Sequence, residues 1–275
     1  MKNILIPIDL SNTSVSAIDF GYTLLKKAKS QLTFLHTYQL FNPLIDGTYS
    51  VSPSVADREN ELIKDMRDFV EKIIPPQDLS TCTFITDIGI PEDSILYQIK
   101  QTAPDLVIMG TEGASGLKKL VGSNTANVML HSKVPILSIP NPNPLPNSQL
   151  KIALASDYHQ LENYKVLDSI KALGEIFNTE IHILNIENEK NKSLEAKEIK
   201  AAIEQEFHPL SISFHTIINP EVLTGLMIYC QSHKIDILGI VHRKHSFLEK
   251  LFNSSIAKTA IQESKQCILT LHESS

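Results

Sequence analysis

Two clusters of glycine, hydroxyl and acid residues in the first half of this chain have the makings of a ligand site. Pro7-Ile8-Asp9 closes one apolar run, and Gly110-Thr111-Glu112-Gly113-Ala114-Ser115-Gly116 closes another, with Gly122-Ser123-Asn124-Thr125 a little further on. Glycines let main-chain amides approach an anion with no Cβ in the way. A helix opening near Ser123 offers unpaired N–H groups and partial positive charge, and the Ser123 hydroxyl can cap that helix or meet a phosphate oxygen. Asp9 can accept a hydrogen bond from a ribose hydroxyl or an adenine amine, while Lys118 and Lys119 add diffuse positive charge. Such a set binds a phosphorylated ligand. Read without a ligand, the glycines form a tight strand-to-helix turn and Asp9 is a turn residue.

These clusters need strands and helices to bring them together. Apolar residues at helical spacing (Val15, Ile18, Tyr22, Leu25) predict a helix over 13–29. A second predicted helix has the face Leu62, Met66, Phe69 and Ile73 and is stopped by Pro75-Pro76. A third starts at Pro91, with Glu92 and Asp93 complementing its positive end, and a fourth covers 124–131. Strands are expected at 2–8, 32–38, 81–87, 105–110 and 135–139, then at 151–156, 180–186, 211–217, 236–241 and 267–271. Strands alternating with helices imply an α/β fold with parallel strands and right-handed crossovers. In such open, doubly wound sheets ligands bind at the carboxyl ends of the strands, where the order reverses. Both clusters are predicted there.

The chain also resembles itself. Residues 2–9 match 151–157 in character, QLTFLHTY at 31–38 matches EIHILNIE at 180–187, and the stretch from Asp105 lies without gaps on the stretch from Asp236. Between the halves, Asn141 to Ser148 holds three prolines in eight residues, a stiff extended linker. The expected organisation is a first domain at 1–140, a Pro-rich linker at 141–148 and a second domain at 149–275. In the gapless register Gly110 becomes Val241, Gly113 becomes Lys244 and Gly122 becomes Asn253, whereas Asp157 and Ser254 keep their places. The second half therefore loses the close backbone approach, and its loop reads His242-Arg243-Lys244-His245. That basic tetrad suits either an anion or plain solvation. His36 and His182 fall within strands, where structural roles are expected.

Composition narrows the classes. With 25 basic and 31 acidic residues interspersed and no basic stripe, nucleic acid is not an expected partner. Cys82, Cys230 and Cys267 form no CxxC pair and are expected as reduced thiols in a cytoplasmic protein, with no metal site. The apolar run at the start is too short for a signal segment, and no run approaches a membrane span. The run Asp9-Leu10-Ser11-Asn12 contains no Ser-Gly-Gly loop, and neither a GxxxxGK[ST] loop nor a Ser/His/Asp triad is visible.

Met109-Gly110-Thr111-Glu112-Gly113, followed by Gly122-Ser123, resembles the nucleotide signature of the universal stress protein family, as do Pro7-Ile8-Asp9 and Leu35-His36-Thr37. The resemblance runs over nearly the whole chain, twice. It implies two tandem Rossmann-like domains, each a five-stranded parallel sheet in the order 3-2-1-4-5. It also implies adenine and ribose contacts from Pro7, Ile8, Asp9, Thr37 and Met109, and phosphate contacts from Gly110, Gly113, Gly122, Ser123 and Asn124. The implied ligand is ATP, ADP or AMP, with or without Mg2+. Two positions depart from the pattern: eight residues rather than nine separate Gly113 from Gly122, and Glu112 stands where binders often carry histidine. The family further implies pairing of the fifth strands, here 135–139 with 267–271, as a pseudo-dimer within one chain. A dimer of chains is compatible with the same edges.

Three functions follow in order of expectation. One is a regulatory adenine-nucleotide-binding protein of the stress response, with protein partners that the sequence does not identify and no catalytic residues. The second is an interaction protein of the same fold without ligand. The third is a slow ATP hydrolase.

Overall fold

Short apolar runs of Ile, Leu and Val become strands because their side chains fill both faces of a sheet that helices cover. The computed structural model describes residues 1–39, 55–112, 123–142, 145–146, 149–158, 161, 163–187, 196–242 and 266–273. In the first half β1 (Asn3–Pro7) leads through a 3-10 turn (Asn12–Ser14) into α1 (Val15–Ala28). Then come β2 (Gln31–Tyr38), α2 (Val55–Val70), the single-turn α3 (Pro76–Leu79), β3 (Thr83–Ile88), α4 (Pro91–Thr102), β4 (Leu106–Glu112), α5 (Ser123–His131) and β5 (Ile136–Asn141). The second half holds β6 (Ile152–Ala155), a 3-10 turn (Tyr164–Leu167), α6 (Asp168–Phe177), β7 (Ile181–Glu187), α7 (Ala196–Phe207), β8 (Ile212–Ile218), α8 (Val222–His233), β9 (Ile237–His242) and β10 (Cys267–His272).

All ten strands join one sheet in the order β3-β2-β1-β4-β5-β10-β9-β6-β7-β8. Neighbours are parallel, except that β5 and β10 run antiparallel with Leu137 opposite Leu269. Each half thus carries the expected 3-2-1-4-5 order, and the fifth strands close the seam. Ser138 Oγ donates to the Ile268 carbonyl (3.4 Å) and Thr270 Oγ1 to the Ile136 carbonyl (3.3 Å), so these buried hydroxyls are satisfied across it.

The core has two layers, one on each face of the sheet. Ile4, Ile6, Phe34 and Ile108 pack towards α1 and α2, continuous with Ile152, Leu269 and α6. Leu5, Leu35, Val107 and Met109 pack towards α4 and α5, continuous with Leu184, Leu238 and α8. Phe20 of α1 stacks on Phe177 of α6 at 5.8 Å, tying the halves together beside the seam. All three cysteines are buried, and none is in a disulfide. Among the described residues no helix is long and apolar enough to cross a membrane.

Several expected boundaries move. The buried α2 face is Leu62, Met66 and Val70, an i, i+4 row that the buried Ile74 prolongs just past the helix end, and Phe69 and Ile73 are left half-buried beside it. The helix ends at Val70, and Pro76 opens α3 instead of only stopping α2. β4 continues past Gly110 through Thr111 and Glu112, and β5 continues to Asn141, which pairs with Glu112. Asn141, the first residue of the expected linker, is thus also the last residue of β5.

Candidate functional site

β1 ends where its partner strand lets it go. The Ile8 N–H donates to the Leu35 carbonyl (2.8 Å), and the Ile8 carbonyl shares a hydrogen bond with His36 Nδ1 (2.9 Å). The chain then turns sharply, with Leu10 in the left-handed region at φ 60°. Three short polar residues hold this turn. Asp9 Oδ1 accepts from the Ser11 N–H (3.0 Å), the Ser11 hydroxyl (2.7 Å) and the Ser14 hydroxyl (2.8 Å). The Asp9 N–H donates back to Ser14 Oγ (3.2 Å), and Ser11 Oγ accepts from the Thr13 N–H (3.2 Å). Desolvation pushes the Asp9 carboxyl upward, but the hydrogen bonds from Ser11 and Ser14 together outweigh it and leave its pKa below the ordinary 3.8. The carboxylate is ionised at neutral pH and lies exposed at the strand ends.

Gly110 explains why this turn sits over β4. A Cβ on Gly110 would lie 2.0 Å from the Thr13 carbonyl oxygen and 3.1 Å from Ser14 Cα. The 3-10 turn therefore presses its backbone into the space a side chain would take. At this glycine the space a side chain would take is filled by the protein's own Thr13.

Strand periodicity divides the predicted site residues between two faces. Ile8 is buried among residues of the α1 face, the side on which Gly110 meets the 3-10 turn. Met109 packs with Leu5 and Leu35 on the α4/α5 face. Pro7, two residues beyond Leu5, and Thr37, two beyond Leu35, fall on that same face. Pro7 pairs with Leu35, and extending the Leu5–Val107 register by two places sets it beside Met109. Pro7 and Thr37 are half-buried, whereas Met109 is 5% exposed. A planar ring can lie against Pro7, Thr37 and the edge of Met109, with Asp9 at the rim. Ile8 is 4% exposed and its backbone is bound to β2, so its part in such a site is structural.

For the phosphate side, Ser123 and Asn124 are the first two residues of α5. Gly113 and Gly122, together with Lys118 and Lys119, lie outside the described residues. Ser11, Thr13 and Ser14 were missed by motif reading, although the spacing Asp-x-Ser-x-x-Ser from Asp9 is that of a self-capping turn.

In the second half the matching positions differ in chemistry. Asp105 and Asp236 play one role, accepting from the Asn3 N–H (3.0 Å) and the Lys151 N–H (2.7 Å), and this fixes the correspondence. Against Pro7, Thr37 and Met109 stand Ala155, Ile186 and Ile240. Ile186 and Ile240 are buried, at 5% and 2% exposure, and offer no hydroxyl. Tyr158 takes the left-handed place of Leu10 at φ 53° and is buried, with the Lys200 ammonium 4.8 Å from its ring centre. Of the expected basic loop, His242 is the last residue of β9, half-buried and paired with His272 of β10, and so not part of a solvated loop. Their rings lie 5.4 Å apart, and burial, with the His242 charge, pushes His272 down to about 4. Arg243, Lys244 and His245 fall outside the described residues.

Residues 1–140 match the model of the universal stress protein family. A universal stress protein of Methanocaldococcus jannaschii is 28% identical over 159 residues, which is 52% of this chain and 96% of that relative. A universal stress protein A homolog of Coxiella burnetii is 27% identical over 140 residues, 50% of this chain and 94% of the relative. The crystal structure of a universal stress protein from Archaeoglobus fulgidus superposes with a TM-score of 0.71 at 17% identity, covering 99% of this chain and 97% of that one. The last comparison speaks to the fold, which it shares from end to end.

Proposed function

Because the chain belongs to the universal stress protein family, we propose that its first half binds an adenine nucleotide and that the protein acts as a nucleotide-responsive regulator, not as a catalyst. The observation that carries this reading is the convergence of Pro7, Thr37 and Met109 on one face of the sheet beside the ionised Asp9. Pro7 and Met109 supply apolar contact for the base, and Asp9 accepts from a ribose hydroxyl or the adenine amine. On this reading the phosphates are held by Ser123 and Asn124, which open α5, and by Gly113 and Gly122 as the family resemblance implies. ATP is the first choice among ATP, ADP and AMP. Mg2+ would neutralise phosphate charge.

Residues 1–140 form the binding domain, 141–148 the connection and 149–275 a second domain of the same plan that has lost the site. Ile186 and Ile240 in place of Thr37 and Met109 support that loss. A carboxylate with a depressed pKa is a poor general base, which favours binding over turnover. Buried cysteines outside any disulfide suit the cytoplasm.

The test is mass spectrometry of small molecules released on denaturing the purified protein, together with a thermal shift on adding ATP. Release of an adenine nucleotide, or a shift, is the expected result. The Asp9→Asn variant keeps the acceptor oxygen that holds the turn and loses the charge, so affinity should fall about tenfold or more. Neither release nor shift would favour the second reading, an interaction protein without ligand. The Thr13 carbonyl under Gly110 is the observation on that side, since it accounts for the glycine by packing alone.

A further inference from the structure

At the amino ends of the strands, away from the nucleotide face, the second half gathers four titratable rings. His182 sits near the start of β7, His215 on β8, and Tyr229 and His233 on the last turns of α8. The His182 and His215 rings stack with centres 5.1 Å apart, and each lies within 6.4 Å of the His233 ring. Tyr229 stacks on His233 at 3.8 Å and lies 5.2 Å from His215.

Among these rings one hydrogen bond joins helix to sheet, and others fix the rings on their own elements. His182 Nδ1 shares a hydrogen bond with Tyr229 Oη (2.8 Å), and His215 Nε2 with Ser213 Oγ (2.9 Å). His233 Nδ1 is 3.1 Å from the Tyr229 carbonyl, to which it can donate. Lys151 Nζ donates to the His233 carbonyl (3.2 Å), which closes the helix end with a fixed positive charge. Tyr229 is 6% exposed, His182 and His215 are half-buried and His233 is exposed.

The faced rings do not converge their nitrogens, and among the described residues no three His, Cys, Asp or Glu side chains are arranged to hold a metal ion. What they share is proximity. We propose that this cluster is a proton-operated latch, in which neutral rings hold the last turns of α8 against β7 and β8 and acidification releases them.

The charges around the cluster set the direction. Burial lowers the pKa of His182, with His215, His233 and Lys151 adding to the fall and Glu180 opposing it. Burial also lowers His215, again with His233 adding and Glu180 opposing. On α8, burial raises Tyr229, and it pushes Cys230 up to about 12, so both stay neutral over this range. A histidine held below its ordinary value binds fewer protons folded than unfolded. Its contribution is therefore fully present above the ordinary 6.5 and is lost as the pH falls below it. Protonating His182 on β7 and His215 on β8 places cations beside Lys151 and under the last turns of α8, which pack on β7 and meet His215 of β8, the outermost strand, through Tyr229 and His233.

Hydrogen exchange on the full-length protein at about pH 7.5 and 5.5, corrected for intrinsic exchange, tests this. Protection in the last two turns of α8 should fall by about tenfold or more relative to α4, its counterpart in the first half. In the H182Q/H215Q variant, whose amides can keep the bonds to Tyr229 and Ser213, that difference should vanish. Equal behaviour of α8 and α4, or a variant as pH-sensitive as the parent, would overturn the latch. Should the variant not fold, the NMR titration of the unaltered protein decides. Midpoints for His182 and His215 below 6.5, moving with α8 exchange, support the latch; midpoints at or above that value refute it.

Discussion

At the scale of the residue, Gly110 and Asp9 show how one motif serves two masters. The Gly110 backbone and the Thr13 carbonyl are so close that a single methyl would overlap, its carbon 2.0 Å from that oxygen. Gly110→Ala must displace the 3-10 turn, and we expect a loss of about 1–3 kcal/mol in chemical denaturation, the range for overpacking a filled site. Nucleotide affinity should fall with it, because the same turn carries Asp9. Asp9→Asn separates the two effects, since its oxygen can still accept from Ser11 and Ser14: little change in stability and a clear loss of affinity. Gly110 and Asp9 were both legible in the sequence, but the role of Gly110 was not. A glycine that admits a ligand and a glycine that admits a neighbouring backbone leave the same letter. Ser11 and Ser14 went unmarked because serines that serve a turn look like serines in any loop. Ile8, which the motif names, has its side chain turned by the pleat into the α1 face.

At the scale of the element, strand cores were readable from continuous Ile, Leu and Val, and the ends were not. β4 runs on to Glu112 because β5 keeps offering it partners as far as Asn141, a long-range pairing that no local pattern announces. The helix ends are more telling. Lys29, Ala103, Asn178 and Lys234 each follow a helix in the left-handed conformation, at φ 54°, 41°, 48° and 54°. Lys29 matches Asn178 and Ala103 matches Lys234, so both halves stop their helices by one device while using residues other than glycine. Glycine adopts this conformation without the Cβ penalty. Ala103→Gly, where the N–H already closes on the Ile99 carbonyl, should therefore stabilise the protein by about 0.5–1 kcal/mol, read as a raised denaturation midpoint with unchanged slope. A decrease would mean that the Ala103 methyl contributes packing that outweighs its strain.

At the scale of the whole molecule, the antiparallel pairing of β5 with β10 decides what the chain is. Two parallel five-stranded sheets would each expose a fifth strand rich in apolar residues, and such an edge recruits partners. Here Ile136, Leu137 and Ile139 of β5 are fully buried, as are Cys267, Leu269 and Leu271 of β10, and the Phe20–Phe177 stack extends the contact to α1 and α6. The self-similarity of the sequence pointed to two such halves, and the family resemblance to the pairing of their fifth strands. The degree of continuity between their cores could not be read, because it depends on helices meeting across a seam that lies more than a hundred residues apart in the chain. Expressed alone, residues 1–140 keep all five strands of the first half and lose the cover over β5. We expect this fragment to fold and to dimerise through β5, with β5 of one copy taking the antiparallel place of β10. Light scattering behind size-exclusion chromatography would report the doubled mass. Replacing Leu137 with lysine puts a charge in the middle of that edge and should return the fragment to a monomer. A fragment that is monomeric without the lysine would mean that β5 tolerates exposure and that the seam is held mainly by α1 and α6. An unfolded fragment would show instead that the two halves share one cooperative core.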